Sequence, residues 1–285
     1  MINRPKPLLC VEHIEKYYGN QGSVTKALNQ VSFCVQHGEF VSIMGASGSG
    51  KTTLLNCIST IDTVSAGHIL LDGKDITTIN EDDISAFRRD NLGFVFQDFN
   101  LLDTLTLEEN IALPLTIGKV SPKEITERIN HIAQRLQISD TLKKFPFQVS
   151  GGQKQRCAFA DDLERMSHGM DTLIGEKGVS VSGGQKQRIS LARAFLRDAD
   201  LLLLDDSLSA VDAKTEQAII DTIQKERKDK TTIIVSHRLS AVHQADWIIV
   251  LDQGQIVEEG RASDLLAQEG WYYEQYQRQQ KQEGE

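Results

Sequence analysis

Short apolar runs, separated by glycine and polar turns, fill the first part of the chain. Residues 8–43 contain several such runs, which predict short strands. The last of them, FVSIMG, leads directly into a glycine-rich loop, and a helix is expected from Lys51. The segment HILLDGKDI then predicts a further strand and turn. A β-rich first part with one early helix is therefore expected.

The middle of the chain, from about residue 98 to 160, has a helical pattern. In SPKEITERINHIAQRLQIS, a Ser-Pro pair precedes apolar residues at roughly helical spacing. Those residues are Ile125, Ile129, Ile132 and Leu136. A predominantly helical segment is expected here.

Helices and buried strands alternate after residue 189. The order is ISLARAFLRDA, LLLLDD, KTEQAIIDTIQKER and TTIIVSH, followed by a short helix, WIIVLDQG and QIVEEG. This alternation is typical of an α/β fold with a largely parallel sheet. The tail after Trp271 is Gln-rich and charged, and we expect it to fray.

Charge and composition exclude several classes of protein. The 285 residues carry a net charge of −9, which argues against nucleic-acid binding. The longest aliphatic runs, such as Leu201–Leu204, are too short to span a bilayer, and the N-terminus lacks the apolar core of a secretory signal. The four cysteines have no CxxC spacing, so buried thiols in a reducing compartment are expected. A soluble chain, or one attached to a membrane through another protein, is the expectation.

The glycine-rich loop fits the phosphate-binding pattern GxxxxGK[ST]. It runs from Gly45 to Thr52 between a predicted strand and a predicted helix. Its backbone N–H groups and the helix N-terminus suit phosphate oxygens. Lys51 is expected to reach the β- and γ-phosphates, and Thr52 to bind Mg²⁺. Asp205 ends the apolar run 201–204, as the second Mg²⁺ contact of such a site requires.

An octapeptide, VSGGQKQR, occurs at 149–156 and again at 181–188. Together with the phosphate loop, this segment resembles the signature of the ABC ATPase family, and the resemblance extends over residues 8–270. Gln97 in FVFQDF resembles that family's Q-loop glutamine, and His237 in IIVSHR resembles its switch histidine. Tyr18 resembles the aromatic residue that stacks on adenine, and residues 209–212 resemble the D-loop.

The resemblance implies a fold. It is a P-loop NTPase with a RecA-like core and mostly parallel sheet, an N-terminal antiparallel β subdomain and an inserted α-helical subdomain. Residues 1–285 would form a single ABC ATPase domain. Its catalytic core would be 1–97 and 189–285, and its helical subdomain, with the duplicated signature, 98–188.

The resemblance also implies a function: an ATP-hydrolysing motor subunit that powers export through separate transmembrane partners. Two protomers would close head to tail on ATP and Mg²⁺, peripherally on the cytoplasmic face of the membrane, with no nucleic-acid partner. The resemblance implies that Asp206, His237 and Gln97 are the catalytic residues. It also implies that Thr52, Gln97 and Asp205 bind the metal ion. The remaining nucleotide-binding residues are Tyr18, Gly45, Ser47, Gly48, Ser49, Gly50, Lys51, Thr52 and Thr53, with Ser182, Gly183, Gly184 and Gln185 of the signature.

Two features depart from the family pattern. Asp206 stands where the family usually has glutamate, and its shorter side chain is expected to reach the attacking water less well. This replacement resembles the degenerate sites of two-subunit exporters; a tolerated swap with slow turnover is the alternative. In addition, the signature occurs twice, and each copy has the family's usual spacing to one neighbouring motif only: the copy at Ser150 to Gln97 before it, and the copy at Ser182 to Asp205 after it. Residues 1–160 resemble peripheral ATPases of the lipoprotein-release and peptide-antibiotic-export type, and 161–285 resemble the nucleotide-binding end of a fused multidrug exporter. A chimera joined near Ala160–Asp161, natural or engineered, is the simplest account.

Several alternatives stay open at this point. We expect Ser182–Gln185 to be the working signature, because only the helix after Arg188 leads to the LLLLDD strand; residues 149–180 would then be an insertion. The opposite choice uses the copy at Ser150. Three other functions are possible: an ATP-gated dimerisation switch with little hydrolysis because of Asp206, a non-transport ABC protein, or an inactive hybrid. The transported substrate and its direction are not encoded in these motifs.

Overall fold

A computed structural model describes residues 6–19, 23–97, 100–146, 183–196, 198–208 and 213–283. The chain divides into two compact units, Met1–Phe99 with Arg197–Glu285, and Asn100–Leu196. The predicted subdomain bounds at 97/98 and 188/189 stay a prediction, since residues 147–182 lie outside the described residues.

The elements of the described residues are named in chain order. The strands are β1 (Leu9–Tyr18), β2 (Thr25–Val35), β3 (Phe40–Met44), β4 (Ala66–Leu71), β5 (Lys74–Asp75), β6 (Leu92–Val95), β7 (Leu201–Asp205), β8 (Thr231–Val235), β9 (Trp247–Asp252) and β10 (Gln255–Gly260). The helices are α1 (Lys51–Ile58), α2 (Glu81–Asn91), α3 (Leu107–Ile117), α4 (Pro122–Arg135), α5 (Gly183–Phe195), α6 (Ala213–Glu226), α7 (Leu239–Val242), α8 (Ala262–Gln268) and α9 (Trp271–Glu283). Short 3-10 turns occur at Ile76–Thr78 and Ser139–Thr141.

The first unit contains two sheets. One has four strands in the order β2-β1-β4-β5, all antiparallel. The other has six strands in the order β10-β9-β3-β8-β7-β6, of which only β10 is antiparallel to its neighbour. This confirms the predicted α/β fold with a mostly parallel sheet and an N-terminal antiparallel β subdomain.

The parallel strands are apolar because both faces of the sheet are covered. Every residue of β3, β7 and β8 is buried, as expected for strands enclosed on both sides. Helix α1 buries Leu54, Leu55 and Ile58 in a cluster that includes residues of both sheets. Each such side chain contributes roughly 1.5–3 kcal/mol when fully buried. The core therefore fixes the base of the glycine-rich loop, which joins β3 to α1.

The second unit is helical in its described part. Helix α4 begins as predicted: Ser121 caps it by accepting from the Glu124 amide, and Pro122 occupies its first turn. Ile129 and Ile132 lie on its buried face. Helix α5 packs against α3 and α4. In sequence, α5 precedes β7, as expected for the helix after the second signature copy.

The chain after Trp271 forms helix α9, so the expectation that this tail frays was wrong. Tyr272 is fully buried, and Trp271 and Tyr276 pack around the same cluster. The apolar face of α9 consists of a few aromatic residues among many glutamines. Because glutamine dominates the composition, the sequence pattern did not indicate a packed helix.

The expectation for the cysteines was wrong in part. Cys10 and Cys34 face each other across β1 and β2 and form a disulfide. Their side chains lie on the more exposed side of the antiparallel sheet, so neither is the fully buried thiol expected. Cys57 is a buried free thiol as expected, and Cys157 lies outside the described residues.

Within the described ranges, the helices are all too short or too polar to cross a bilayer.

Candidate functional site

The carboxyl ends of four parallel strands carry the predicted chemistry. Gly45 follows β3, Asp205 ends β7, His237 follows β8, and Gln97 follows β6. Because these strands are parallel, their carboxyl ends meet at one edge of the sheet, where open α/β sheets bind their ligands. The structure therefore brings these sequence-predicted residues to a common edge.

The glycine-rich loop needs glycine at its base. Gly45 has a φ of 143°, and a Cβ there would lie 2.1 Å from the Leu251 carbonyl oxygen. At Gly48, with a φ of 79°, a Cβ would point into open space. The loop is thus pressed against β9 at its start and open at its crest, as close approach of phosphate oxygens to backbone requires. Ser47 is exposed at the crest, whereas Ser49 is buried.

The Lys51 side chain folds back along this loop. Its Nζ donates to the carbonyl oxygens of Gly45 at 2.9 Å and Ala46 at 2.7 Å. It also lies 3.4 Å from Ser49 Oγ. Burial lowers the pKa of Lys51, while the charges of Asp206 and Asp205 oppose that shift. The ammonium group therefore lies against the loop carbonyls and is electrostatically coupled to both carboxylates.

Thr52 and Asp205 meet across the sheet edge. The Thr52 Oγ1 hydroxyl donates to Asp205 Oδ1 at 3.2 Å. Asp205 is only 4% exposed, and burial raises its pKa. A hydroxyl and a buried carboxylate in contact are the oxygen ligands that Mg²⁺ uses in phosphate-loop sites. The residues present therefore fit a magnesium ion.

Asp206 and His237 lie beside this pair and interact through their charges. The backbone of Asp206 has a φ of 41°, and its amide donates to the Val235 carbonyl at 3.1 Å. Burial raises the Asp206 pKa, whereas His237, Lys51 and Arg238 lower it. Partial burial and Lys51 lower the pKa of His237, while Asp206 raises it. The edge thus combines a carboxylate with raised basicity and an imidazole that favours its neutral form.

The segment after β8 is held by contacts on both sides of His237. The Ser236 Oγ accepts from the Arg238 amide at 3.1 Å. The Arg238 guanidinium donates to the fully buried Glu216 carboxylate of α6 at 3.0 Å. The side-chain amide of Gln279 contacts the backbone at 237 and 239. The position of His237 therefore depends on α6 and α9 as well as on its own strand.

A cavity of about 380 Å³ lies beside the glycine-rich loop. Its lining includes the predicted Gly48, Gly50, Lys51, Thr52 and Thr53. It also includes residues that the sequence motifs did not indicate, namely Thr25, Lys26, Ala27, Gln253 and Gly254.

Backbone hydrogen bonds bring these additional residues to the cavity. The Gly254 amide donates to the Ser49 carbonyl at 3.0 Å, and its carbonyl accepts from Asn29 at 2.8 Å. The turn between β9 and β10 therefore joins the glycine-rich loop to β2. The Gln-Gly pair of this turn was the available signal, but a turn by itself does not indicate a ligand.

Tyr18 ends β1 close to this cavity. Its hydroxyl donates to Asp62 Oδ2 at 2.6 Å and is hydrogen-bonded to Thr53, which lines the cavity. Burial and Asp62 raise the pKa of Tyr18 to about 12. The residue remains 42% exposed, with Lys16 Nζ 5.0 Å from the ring centre. The hydroxyl is thus fixed while much of the ring is accessible.

Only part of the signature lies within the described residues. Gly183 begins α5, and Gly184 and Gln185 lie in its first turn. Ser182, the first copy at Ser150, the 209–212 segment and the junction at 160–161 lie outside the described residues. Gln97 is exposed just beyond β6.

Comparison with known proteins places this geometry in a family. The sequence profile of the family described as ABC transporter matches residues 28–166 and again residues 161–209. Bacitracin export ATP-binding protein BceA of Halalkalibacterium halodurans is 35% identical over 259 residues, 90% of each chain. The probable multidrug resistance ABC transporter ATP-binding/permease protein YheI of Bacillus subtilis is 42% identical over 260 residues, 90% of this chain and 39% of YheI.

A solved structure is also similar. It is the dimeric post-hydrolysis state of the ATP-binding cassette MJ0796 bound to ADP and Pi, with a TM-score of 0.74 and 29% identity over 89% of this chain and 98% of that one. The two profile matches together span residues 28–209, which include the phosphate loop, strands β3, β6 and β7, and helices α3 to α5. The chain therefore belongs to the ABC transporter family, as an ATP-binding and ATP-hydrolysing motor subunit.

Proposed function

We propose that this chain hydrolyses Mg²⁺-ATP to power export across a membrane through separate transmembrane subunits. The observation that carries the proposal is the convergence of Lys51, Thr52 and Asp205 at one sheet edge. The glycine-rich loop and the Lys51 ammonium group suit phosphate, and the oxygens of Thr52 and Asp205 suit a magnesium ion. Export is supported by similarity to BceA, whose name specifies bacitracin export. YheI, whose name joins an ATP-binding part to a permease, supports a transmembrane partner.

The loop 45–50 and Lys51 would bind the phosphates. The open crest at Gly48 leaves room for phosphate oxygens, and α1 directs its N-terminal amides toward them. Tyr18 would supply the ring beside adenine. The cavity lined by Lys26, Thr53 and Gly254 would receive the rest of the nucleotide.

Thr52, Asp205 and Gln97 would hold the magnesium ion. When bound, the ion would neutralise the negative charge that develops on the phosphate oxygens during hydrolysis. Asp205 suits this role because its carboxylate is buried in contact with Thr52 and beside a second carboxylate. Gln97 follows β6, the neighbour of β7, and its exposed amide would bring the third oxygen from the adjacent strand.

Asp206 would orient and polarise the attacking water, with His237 beside it. Burial raises the pKa of Asp206, so its carboxylate accepts a proton more readily. The positive charge of Lys51 opposes that shift and favours the ionised carboxylate. His237 would donate a hydrogen bond to the departing phosphoryl group. Through that bond, the position of the segment after β8 would depend on whether the phosphoryl group is bound. The comparisons do not favour the alternative of an ATP-gated switch, because the similar MJ0796 cassette was solved with ADP and Pi.

A second protomer would complete the site with Ser182, Gly183, Gly184 and Gln185. The start of α5 at Gly183 supports this choice, because helix N-terminal amides suit a γ-phosphate. Helix α5 also precedes β7 directly in the chain, so the second copy has the connection that the fold needs. We place the assembled pair peripherally on the inner face of the membrane, bound to its transmembrane subunits.

A junction near Ala160–Asp161 would account for the duplicated signature. The family profile matches twice, and the two ranges overlap only at residues 161–166. Each range contains one copy of VSGGQKQR. This pattern supports two joined cassette segments, with residues 149–180 carried as an insertion.

The test is phosphate release from Mg²⁺-ATP by the purified chain. Lys51→Ala removes the phosphate-binding cation, and Lys225→Ala, an exposed position on α6, is the matched control. We expect turnover in the unmodified chain and in Lys225→Ala, and none above background in Lys51→Ala. Equal turnover in all three would overturn the assignment of the site.

A further inference from the structure

Helix α9 is firmly attached to the sheet that carries the site. Tyr272 is fully buried in a hydrophobic cluster that also contains Met44, the last residue before the glycine-rich loop, and Leu239 of α7. The Glu258 carboxylate of β10 accepts hydrogen bonds from the amides of Trp271 and Tyr272 at the start of the helix. A carboxylate at a helix N-terminus also interacts favourably with the helix dipole. Helix α9 therefore has a defined position relative to the strand ends.

Gln279 projects from this helix onto the segment that carries His237. Its Nε2 donates to the His237 carbonyl oxygen at 2.8 Å. Its Oε1 accepts from the Leu239 amide at 3.0 Å. The carbonyl can only accept and the amide can only donate, so these two partners fix which way the side-chain amide points. One side chain thus spans the two peptide groups on either side of Arg238.

This contact does what the local backbone cannot do. Leu239 is the first residue of α7, and the first amides of a helix have no partner within it. Without Gln279 the Leu239 amide would need another acceptor. Arg238 is held separately by Glu216, so the two sides of the His237 segment are restrained by different helices.

The groups that face the His237 imidazole are those of the catalytic edge. Lys51 and Asp206 act on its charge, and neither contacts Gln279 through any hydrogen bond in the described residues. Among the described residues, the side-chain hydrogen bonds of Gln279 go to the backbone of this segment and to no residue predicted to bind the nucleotide. Any effect of this residue on hydrolysis would therefore pass through the placement of His237.

We propose that Gln279 is a positioning residue for ATP hydrolysis: its side-chain amide fixes the backbone at 237–239 and so holds the His237 imidazole at the catalytic edge. The inference rests on the role proposed above for His237. Helix α9 would then contribute to ATP turnover, although it lies far from the phosphate loop in the sequence.

The test compares Gln279→Met with Gln277→Met in the full chain. Methionine keeps the length and helix preference of glutamine but loses both hydrogen bonds, and Gln277 is an exposed residue of the same helix. Each substitution is made alone and together with His237→Ala. The readouts are kcat and KM for ATP, the thermal midpoint, and the imidazole NMR signals assigned with His237→Ala. Gln279→Glu, which keeps the acceptor for Leu239 and loses the donor to His237, is the second variant if Gln279→Met does not fold.

We expect Gln279→Met to lower kcat by between about 10- and 100-fold, as small misplacements of catalytic groups do, with KM for ATP unchanged. It should shift the His237 imidazole signal, and it should cause no further loss in the His237→Ala background. Equal kcat in Gln279→Met and Gln277→Met, or an equal loss with and without His237, would overturn the inference. If His237→Ala alone leaves kcat unchanged, the role proposed for His237 fails, and an unchanged imidazole signal in Gln279→Met would separately refute positioning.

Discussion

The Thr52 hydroxyl lies 3.2 Å from the Asp205 carboxylate, although 153 residues separate the two in the chain. Thr52 belongs to the first turn of α1, and Asp205 ends β7. Neither residue is informative alone, because many strands end in aspartate and many helices begin near threonine. Their contact joins the phosphate loop to β7, the strand that is proposed to supply a magnesium ligand.

Replacing Thr52 with valine should weaken magnesium binding. Valine matches threonine in shape but lacks the hydroxyl, so Asp205 loses its hydrogen-bond donor and the metal loses a ligand. We expect the apparent Mg²⁺ affinity in the ATPase reaction to fall by about tenfold or more, since losses of that size follow even from outer-shell changes. The measurement is phosphate release against Mg²⁺ concentration. Binding of ATP in chelator should stay unchanged, and an unaltered Mg²⁺ dependence would remove Thr52 from the site.

Asp205→Asn should stabilise the fold while abolishing turnover. Burial raises the Asp205 pKa above 3.8, so the folded chain holds this proton more tightly than the unfolded chain. The destabilising effect is absent below the unfolded pKa, grows as pH rises through the folded pKa, and is fully present above it. Asparagine removes that charge. We expect a higher thermal midpoint than the unmodified chain at pH 7, with the difference disappearing near pH 3, as measured by calorimetry.

The control for this stability effect is Asp198→Asn, since the Asp198 side chain is largely exposed. Its thermal midpoint should not rise with pH relative to the unmodified chain. A lower midpoint for Asp205→Asn at pH 7 would show that the buried carboxylate stabilises the fold without metal, against the direction of its pKa shift.

Two substitutions at Asp206 should distinguish the effect of side-chain length on turnover from the effect of the negative charge. Glutamate adds one methylene and extends the carboxylate toward the attacking water, so Asp206→Glu is expected to raise kcat several-fold. Asparagine keeps the size but removes the base, and should lower kcat by about 100-fold or more. Single-turnover phosphate release measures both. Turnover in Asp206→Asn equal to that of the unmodified chain would exclude this carboxylate from the chemistry.

The two signature copies can be distinguished by the same substitution at each. A bulky cation at Ser182 would obstruct the approach of the Ser-Gly-Gly backbone to phosphate, so Ser182→Arg should lower ATPase activity on the order of 100-fold. Ser150→Arg places the same side chain in the same octapeptide and should have a much smaller effect. The opposite order of losses would mean that the first copy completes the site.

The parts of the site that follow from local sequence were predicted. The run FVSIMG before Gly45 and the run 201–204 before Asp205 indicate buried parallel strands, and strand ends at one edge bring their polar residues together. The placement of Lys51 and Thr52 follows from the loop pattern alone. Such features need no knowledge of which strands pair.

The features that were missed depend on pairing between distant segments. Gly254 reaches the cavity because the turn after β9 bonds to Ser49, and Cys10 faces Cys34 because of the register of β1 against β2. Gln279 lies in a stretch of glutamines and charges in which no local pattern marks one position. Its partners are backbone groups, which every residue has, so sequence reasoning has no basis for selecting it.

The order of strands makes the stiffness of the site uneven. Strand β3 is bonded to parallel strands on both sides, and Gly45 abuts the Leu251 carbonyl, so the phosphate loop is anchored in the interior of the sheet. Strand β6 ends the order and has a single neighbour among the described strands. Gln97, just beyond β6, therefore follows a strand that is held from one side only among the described strands. Because a strand held on one side shifts more readily than one held on both, we expect a change at the phosphates to displace Gln97 more than the loop that surrounds them.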